Sequence, residues 1–198
     1  MKYDRQKHHR RSIRLKGYDY TQVGAYFVTI CTWQREFLFG DIVNNEMRLS
    51  CYGEVVQFNW HHLPIRYPHV KLDAFIIMPN HVHGIICLTD ENINNLPGVG
   101  AGLEINIDRN INFSVKPAPT TSTAKRHGLP EVIRGFKTFS ALRINQLRCI
   151  TGVPVWQRNY YEHIIRHEES LEKIRQYIIN NPSSWQQDKL NGDHPLHL

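Results

Sequence analysis

Between residues 70 and 88 the chain runs VKLDAFIIM, then Pro79-Asn80, then HVHGIICL. Two short apolar runs joined by a tight polar connection predict an antiparallel hairpin. Both halves are apolar enough to be buried, which puts the hairpin at the centre of a sheet. Residues 25–32, AYFVTICT, alternate and are rich in β-branched and aromatic side chains, the pattern of a strand. Residues 51–63, CYGEVVQFNWHHL, place Tyr52, Val55, Val56, Trp60 and Leu63 at helical spacing, with Pro64 as a stop. A second helix is predicted over 130–148, with Pro130 near its first turn and Val132, Phe136, Phe139 and Leu147 on one face. Residues 153–165, VPVWQRNYYEHII, read as a strand that is edge-like at Pro154. The last helix spans 168–180, with acidic residues in its first turn where the dipole favours them, and Pro182 ends it. The order β-α-β-β-α-β-α is a split βαβ arrangement of the α+β class, with antiparallel pairs and helices on a sheet.

Composition changes this picture at two places. Residues 90–130 are rich in Asn, Gly, Pro, Ser and Thr. So long a connection inside a compact domain reads as a flexible insertion. The N-terminus crowds Arg5, Lys7, Arg10, Arg11, Arg14 and Lys16 into a basic arm that suits phosphate contacts, and the chain as a whole carries a net charge of +6. Arg134, Lys137 and Arg148 add a basic stripe on the second helix, read either as a solvated face or as one turned to DNA. Arg158 adds a further basic position. Four cysteines are scattered with no CxxC pair, which argues against a zinc ribbon and for thiols in a reducing cytoplasm. No apolar run is long enough to span a bilayer and no signal-type stretch follows the basic start, so a cytoplasmic protein without a membrane partner is expected.

Candidate chemistry lies on the hairpin and the last helix. His81 and His83 are one strand-step apart, so both imidazoles share a face and Val82 takes the other. Such a pair can bind one divalent metal, or it can be two satisfied polar side chains at a sheet end. Their apolar setting and their place just after a turn favour the metal. Tyr177 and Asn181 are i, i+4 on the last helix, at the border of the stripe formed by Leu171, Ile174 and Ile178. A phenol attacks phosphorus competently when a metal neutralises the phosphate oxygens. A helix docked over the hairpin would deliver Tyr177 as nucleophile and Asn181 as an oxygen ligand together. His163 and His167 lack the glutamate and the continuous helix of a metalloprotease motif. Tyr160 and Tyr161 are rival nucleophiles on a strand.

With these residues, the chain resembles the REP-associated tyrosine transposases, a single-tyrosine branch of the HUH endonucleases related to insertion-sequence transposases. The resemblance is carried by RRSIRLKGYDY and AYFVTICT, AFIIMPNHVHGIICL, IRGFKTFSALRIN, VWQRNYYEHIIR and LEKIRQYIINNP, in that order. It implies a ferredoxin-like β-α-β-β-α-β sheet with a C-terminal helix carrying the nucleophile. It implies magnesium or manganese at His81 and His83, with Asn181 at the polar ligand position where relatives also use Gln. It implies Tyr177 as the nucleophile of metal-dependent single-stranded DNA cleavage and strand transfer, through a 5′-phosphotyrosine and a free 3′-hydroxyl. The expected partner is single-stranded or hairpin DNA, contacted by Arg10, Arg11, Arg14, Lys16, Arg134, Lys137, Arg148 and Arg158. The expected state is a monomer or homodimer. The corresponding organisation is a basic arm over 1–24, a catalytic domain over 25–185 carrying the insertion, and a tail over 186–198. Two alternatives stay open: a hairpin-DNA-binding protein without catalysis, and a replication or relaxase nickase of the same superfamily.

Overall fold

The computed structural model describes residue 15, residues 17–90 and residues 127–191. The arm residues Arg10, Arg11, Arg14 and Lys16 and most of the 90–130 segment lie outside the described residues. The principal sheet has four strands: β1 (Gly24–Cys31), β4 (Val70–Met78), β5 (His81–Leu88) and β6 (Tyr161–Ile165). Their order is β4-β5-β1-β6, and every neighbouring pair is antiparallel. The second hairpin strand, β5, therefore inserts between β1 and β4, splitting the β-α-β unit as the sequence predicts. A second sheet, β2 (Gly40–Val43) and β3 (Glu46–Leu49), precedes the first helix.

Strand alternation divides the side chains between two faces. Tyr26, Val28 and Ile30 of β1 join Val82, Ile86 and Leu88 of β5 in the larger core. Helices α1 (Cys51–His61) and α3 (Leu129–Leu147) cover that face through Val56 and Trp60, and through Val132, Ile133, Phe136 and Ile144. Ser50 caps α1 by accepting a 3.2 Å bond from the Gly53 amide. Gly84 is required at the centre of β5, because a Cβ there would lie 2.3 Å from the Trp60 ring. On the other face Phe27, Ile85 and Ile165 meet Ile178 of α4 (Glu168–Asn180), with Leu171 and Ile174 alongside. Arg175 fastens α4 to the sheet, donating to both carboxylate oxygens of Asp73 on β4 at 2.9 and 2.8 Å. This bidentate pair holds the Asp73 carboxyl below the usual carboxylate range.

Four local expectations differ from the structure. Pro64 follows the end of α1 but also opens a further turn, α2 (Leu63–Arg66), because proline fits the first turn of a helix. The strand expected over 153–165 is confined to β6. Upstream, Val155 and Trp156 are buried and form only a bridge from Trp156 to Thr32, while Trp156 Nε1 donates to Ser140 Oγ at 2.9 Å. Phe139 and Leu147 are not core residues: they are 42% and 43% exposed, and Arg66 lies over the Phe139 ring. The buried side of α3 instead runs through Ile133, Ser140 and Ile144. The β2–β3 hairpin escaped prediction because its strands have four residues each; its signal is Asn44-Asn45, both at positive φ in a two-residue turn. Among the described residues no helix is long and apolar enough to cross a membrane.

Candidate active site and metal centre

His81 and His83 point to the α4 face of β5 and are almost wholly buried, at 0% and 2% exposure. Their Nε2 atoms are 3.0 Å apart. Each outer nitrogen has its own partner. His81 Nδ1 lies 2.8 Å from Asn80 Oδ1, and an amide oxygen only accepts, so this nitrogen carries the proton and Nε2 presents a lone pair. His83 Nδ1 lies 2.8 Å from Thr29 Oγ1, which can donate or accept. When Thr29 donates, His83 keeps a proton on Nε2 and shares it with His81. When Thr29 accepts, both Nε2 lone pairs face one point. A change of tautomer and one hydroxyl rotation convert a closed hydrogen-bond chain into a two-nitrogen metal site, with no heavy atom moved.

Burial keeps both rings neutral. Desolvation, then the neighbouring His83 and Arg35, push His81 down to about 2, and desolvation pushes His83 down to about 3. Neutral imidazole is the ligand form.

Oxygen donors come from the chain after α4. Asp188 closes a 3-10 turn over Pro182–Gln187, and one oxygen of its carboxylate lies 3.8 Å from His81 Nε2. The ligand atoms of His81, His83 and Asp188 all lie within 4.8 Å of one another. That carboxylate oxygen and the Asn181 Oδ1 are both buried with no hydrogen-bond partner among the described residues. An orphaned Asp188 oxygen beside two convergent ring nitrogens fits a bound divalent cation, and the Asn181 side chain touches Tyr177 at the same site. Asn181 caps α4 and is 3% exposed, so it is as enclosed as the histidines.

Asp188 was not found from sequence, where it falls in the segment expected to be a tail. The chain returns to the site because Trp185 packs between Phe37 and His81, with ring centroids 5.6 and 5.9 Å away. Asn80 then ties it down. Its Nδ2 donates to the Leu190 carbonyl at 2.7 Å while its Oδ1 holds His81. The Arg35 side chain reaches the Lys189 carbonyl at 3.3 Å. The available signals were the Asn before the histidine pair and the lone Trp in a polar terminus.

Tyr177 stands over this group. Its hydroxyl is 3.2 Å from His83 Nε2, and its ring is 5.1 Å from the His83 ring. The residue as a whole is 48% exposed, so it stands at the open edge of the site. Burial and then the Asp188 charge raise its pKa, with a contact from Asn181 acting the other way. Of the rival tyrosines, Tyr160 packs into the core on the other face. Tyr161 lies on the site's face, its ring 6.3 Å from Phe27.

Among the described residues, the basic positions named from the sequence do not gather here. Arg134 and Arg158 are exposed, and Arg148 is half-buried. Helix α3 lies across the sheet from the histidines, and its Lys137 ammonium donates to the Gln157 and Arg158 carbonyls, so it serves the fold.

No protein-family model matches the chain. An uncharacterized protein of Haemophilus influenzae is 42% identical over 195 residues, covering 97% of this chain and 98% of its own length. A second protein of that organism, described as "Putative REP-associated tyrosine transposase", is 26% identical over 164 residues, covering 83% of this chain and 73% of its own length. Among solved structures, a REP-associated tyrosine transposase bound to a REP hairpin superposes with a TM-score of 0.52 at 16% identity, over 90% of this chain and 77% of that one. The chain thus belongs to one family with the 42%-identical Haemophilus influenzae protein, and its fold is that of a REP-associated tyrosine transposase.

Proposed function

We propose that this protein cleaves and rejoins single-stranded DNA, with Tyr177 as nucleophile and a divalent cation, magnesium or manganese, held by His81 and His83. Asp188 and Asn181 supply the oxygen donors. The observation that carries this reading is the convergence of the Tyr177 hydroxyl, the two Nε2 atoms and the Asp188 carboxylate in one half-open site. A cation bound there neutralises phosphate oxygens and makes phosphorus more electrophilic. The chain's own residues do the rest. Asn80 and Thr29 fix the two imidazoles. Helix α4, fastened by Arg175, presents Tyr177 at the edge of the site. Its oxygen attacks phosphorus, losing its proton, and forms the tyrosine–phosphate bond. The bond to the 3′ oxygen breaks, and that oxygen takes up a proton. A 5′-phosphotyrosine and a free 3′-hydroxyl result, so reversal with a different 3′-hydroxyl transfers the strand.

The likeness to proteins described as REP-associated tyrosine transposases supports hairpin-forming repeat DNA as the substrate. A protein that only bound hairpins would need neither the buried imidazole pair nor the orphaned Asp188 oxygen. The test uses a pool of end-labelled DNA hairpins with single-stranded flanks, incubated with protein and manganese. A denaturant-stable protein–DNA adduct that disappears with chelator is the expected result. Cleavage that persists in chelator, or hairpin binding with no adduct under any divalent metal, would refute the reading.

A further inference from the structure

Helix α4 covers only part of its face of the sheet. On β6, Tyr161 and His163 stay exposed on that face, one strand beyond the buried Phe27 and Thr29 of β1. Ile76, His83, Thr29 and Tyr161 are paired in one row across β4, β5, β1 and β6. Residues in one row of an antiparallel sheet project to the same face. Tyr161 is therefore two strands from His83, on His83's side, at a lateral distance of about 10 Å. Stacked nucleotides advance about 3.4 Å each. A strand whose phosphate sits at His83 and Tyr177 thus reaches Tyr161 within about three nucleotides.

Tyr161 is 52% exposed, which leaves room for a ligand against its ring. It is also held in place. Phe27 stacks on His83 with centroids 5.5 Å apart, and Tyr161 and Tyr177 both stand edge-on to that same Phe27, at 6.3 and 6.1 Å. One buried ring thus orients the histidine, the nucleophile and the open aromatic. An aromatic face braced beside a phosphate site matches one ligand chemistry, an unpaired nucleobase, because every base has a π face.

We infer that Tyr161 is a stacking platform for an unpaired base flanking the reacting phosphate, an inference that rests on the DNA-cleaving reading above. It also gives Tyr161 a role other than rival nucleophile, one that uses its ring and not its hydroxyl.

The test measures binding without metal, so that no chemistry intervenes. The probes are a twelve-nucleotide oligothymidylate and a twelve-unit abasic phosphodiester of equal charge. Wild type should prefer the oligothymidylate. Tyr161→Ala should cut that preference by roughly 5- to 150-fold, the loss of one stacked base, and leave abasic binding unchanged. Tyr161→Phe should keep the preference. Tyr161→Leu keeps apolar bulk on β6 and should lose it as Tyr161→Ala does, which guards against a folding defect in the alanine variant. An unchanged preference in folded Tyr161→Ala and Tyr161→Leu overturns the platform, as does a loss in Tyr161→Phe equal to that in Tyr161→Ala. Failure of wild type to bind either oligomer overturns the DNA reading and the platform together. A Tyr161-dependent preference in a protein that never forms an adduct would uphold the platform and refute the cleavage reading.

Discussion

The two faces of the principal sheet are made by alternate residues of the same strands, yet they are built for different ends. One is mainly apolar: Tyr26, Val28, Ile30, Val82 and Ile86 pack under α1 and α3 around Trp60 and Phe136. The other mixes a small apolar patch under α4 with two neutral histidines, an asparagine and a carboxylate. The first face stabilises the molecule. The second costs stability, since it takes two imidazoles, an amide and a carboxylate out of water. Such local inconsistency is where function is expected in a sequence that is otherwise consistent with its fold.

Substitutions on the two faces should therefore separate activity from stability. On the α4 face, His83→Ala should lower adduct formation at least about 1,000-fold, roughly 4 kcal/mol of barrier, while shifting the denaturation midpoint little. Chemical denaturation and an adduct assay on the same preparation check both. On the α3 face, Ile133→Ala leaves a cavity in the core and should cost about 2–4 kcal/mol of stability. Its adduct yield per folded molecule should stay near wild type. If the two variants exchanged these signatures, the division of labour between the faces would be wrong.

Smaller effects sharpen the same contrast. Asp188→Asn keeps the shape but removes the charge, and manganese affinity measured by calorimetry should fall about 10- to 100-fold. Asp73→Asn weakens the clamp on α4. The pair is partly exposed and screened, so about 0.5–1 kcal/mol is expected. Its pH dependence has a definite sign. Arg175 lowers the folded pKa of Asp73, so the pair's contribution is complete above the ordinary carboxylate range and disappears as pH falls through the folded value. The stability difference between wild type and Asp73→Asn should shrink below about pH 4. A difference that grew with acid would contradict the clamp.

How much of this was legible depended on how local each signal is. The β4–β5 hairpin and the shared face of His81 and His83 follow from strand alternation alone, and α4 from its apolar stripe. Val155 and Trp156 looked like strand residues because a buried plug has the same composition as a strand. Phe139 was assigned to the core by helical spacing, but α2, which the sequence did not suggest, supplies Arg66 to cover it at the surface. Asp188 was invisible for a different reason. It is more than 100 residues from His81 and reaches it only through the Trp185 anchor and the Asn80 clamp, contacts that leave no periodic trace.

In the proposed reaction one tyrosine, delivered by α4, makes the covalent bond to DNA. Protease digestion and mass spectrometry of the adduct trapped with manganese test it most directly. DNA is expected on the peptide containing Tyr177 alone, with no adduct from Tyr177→Phe even though that variant binds the same DNA. An adduct on the peptide containing Tyr160 and Tyr161, or one that survives Tyr177→Phe, would contradict it.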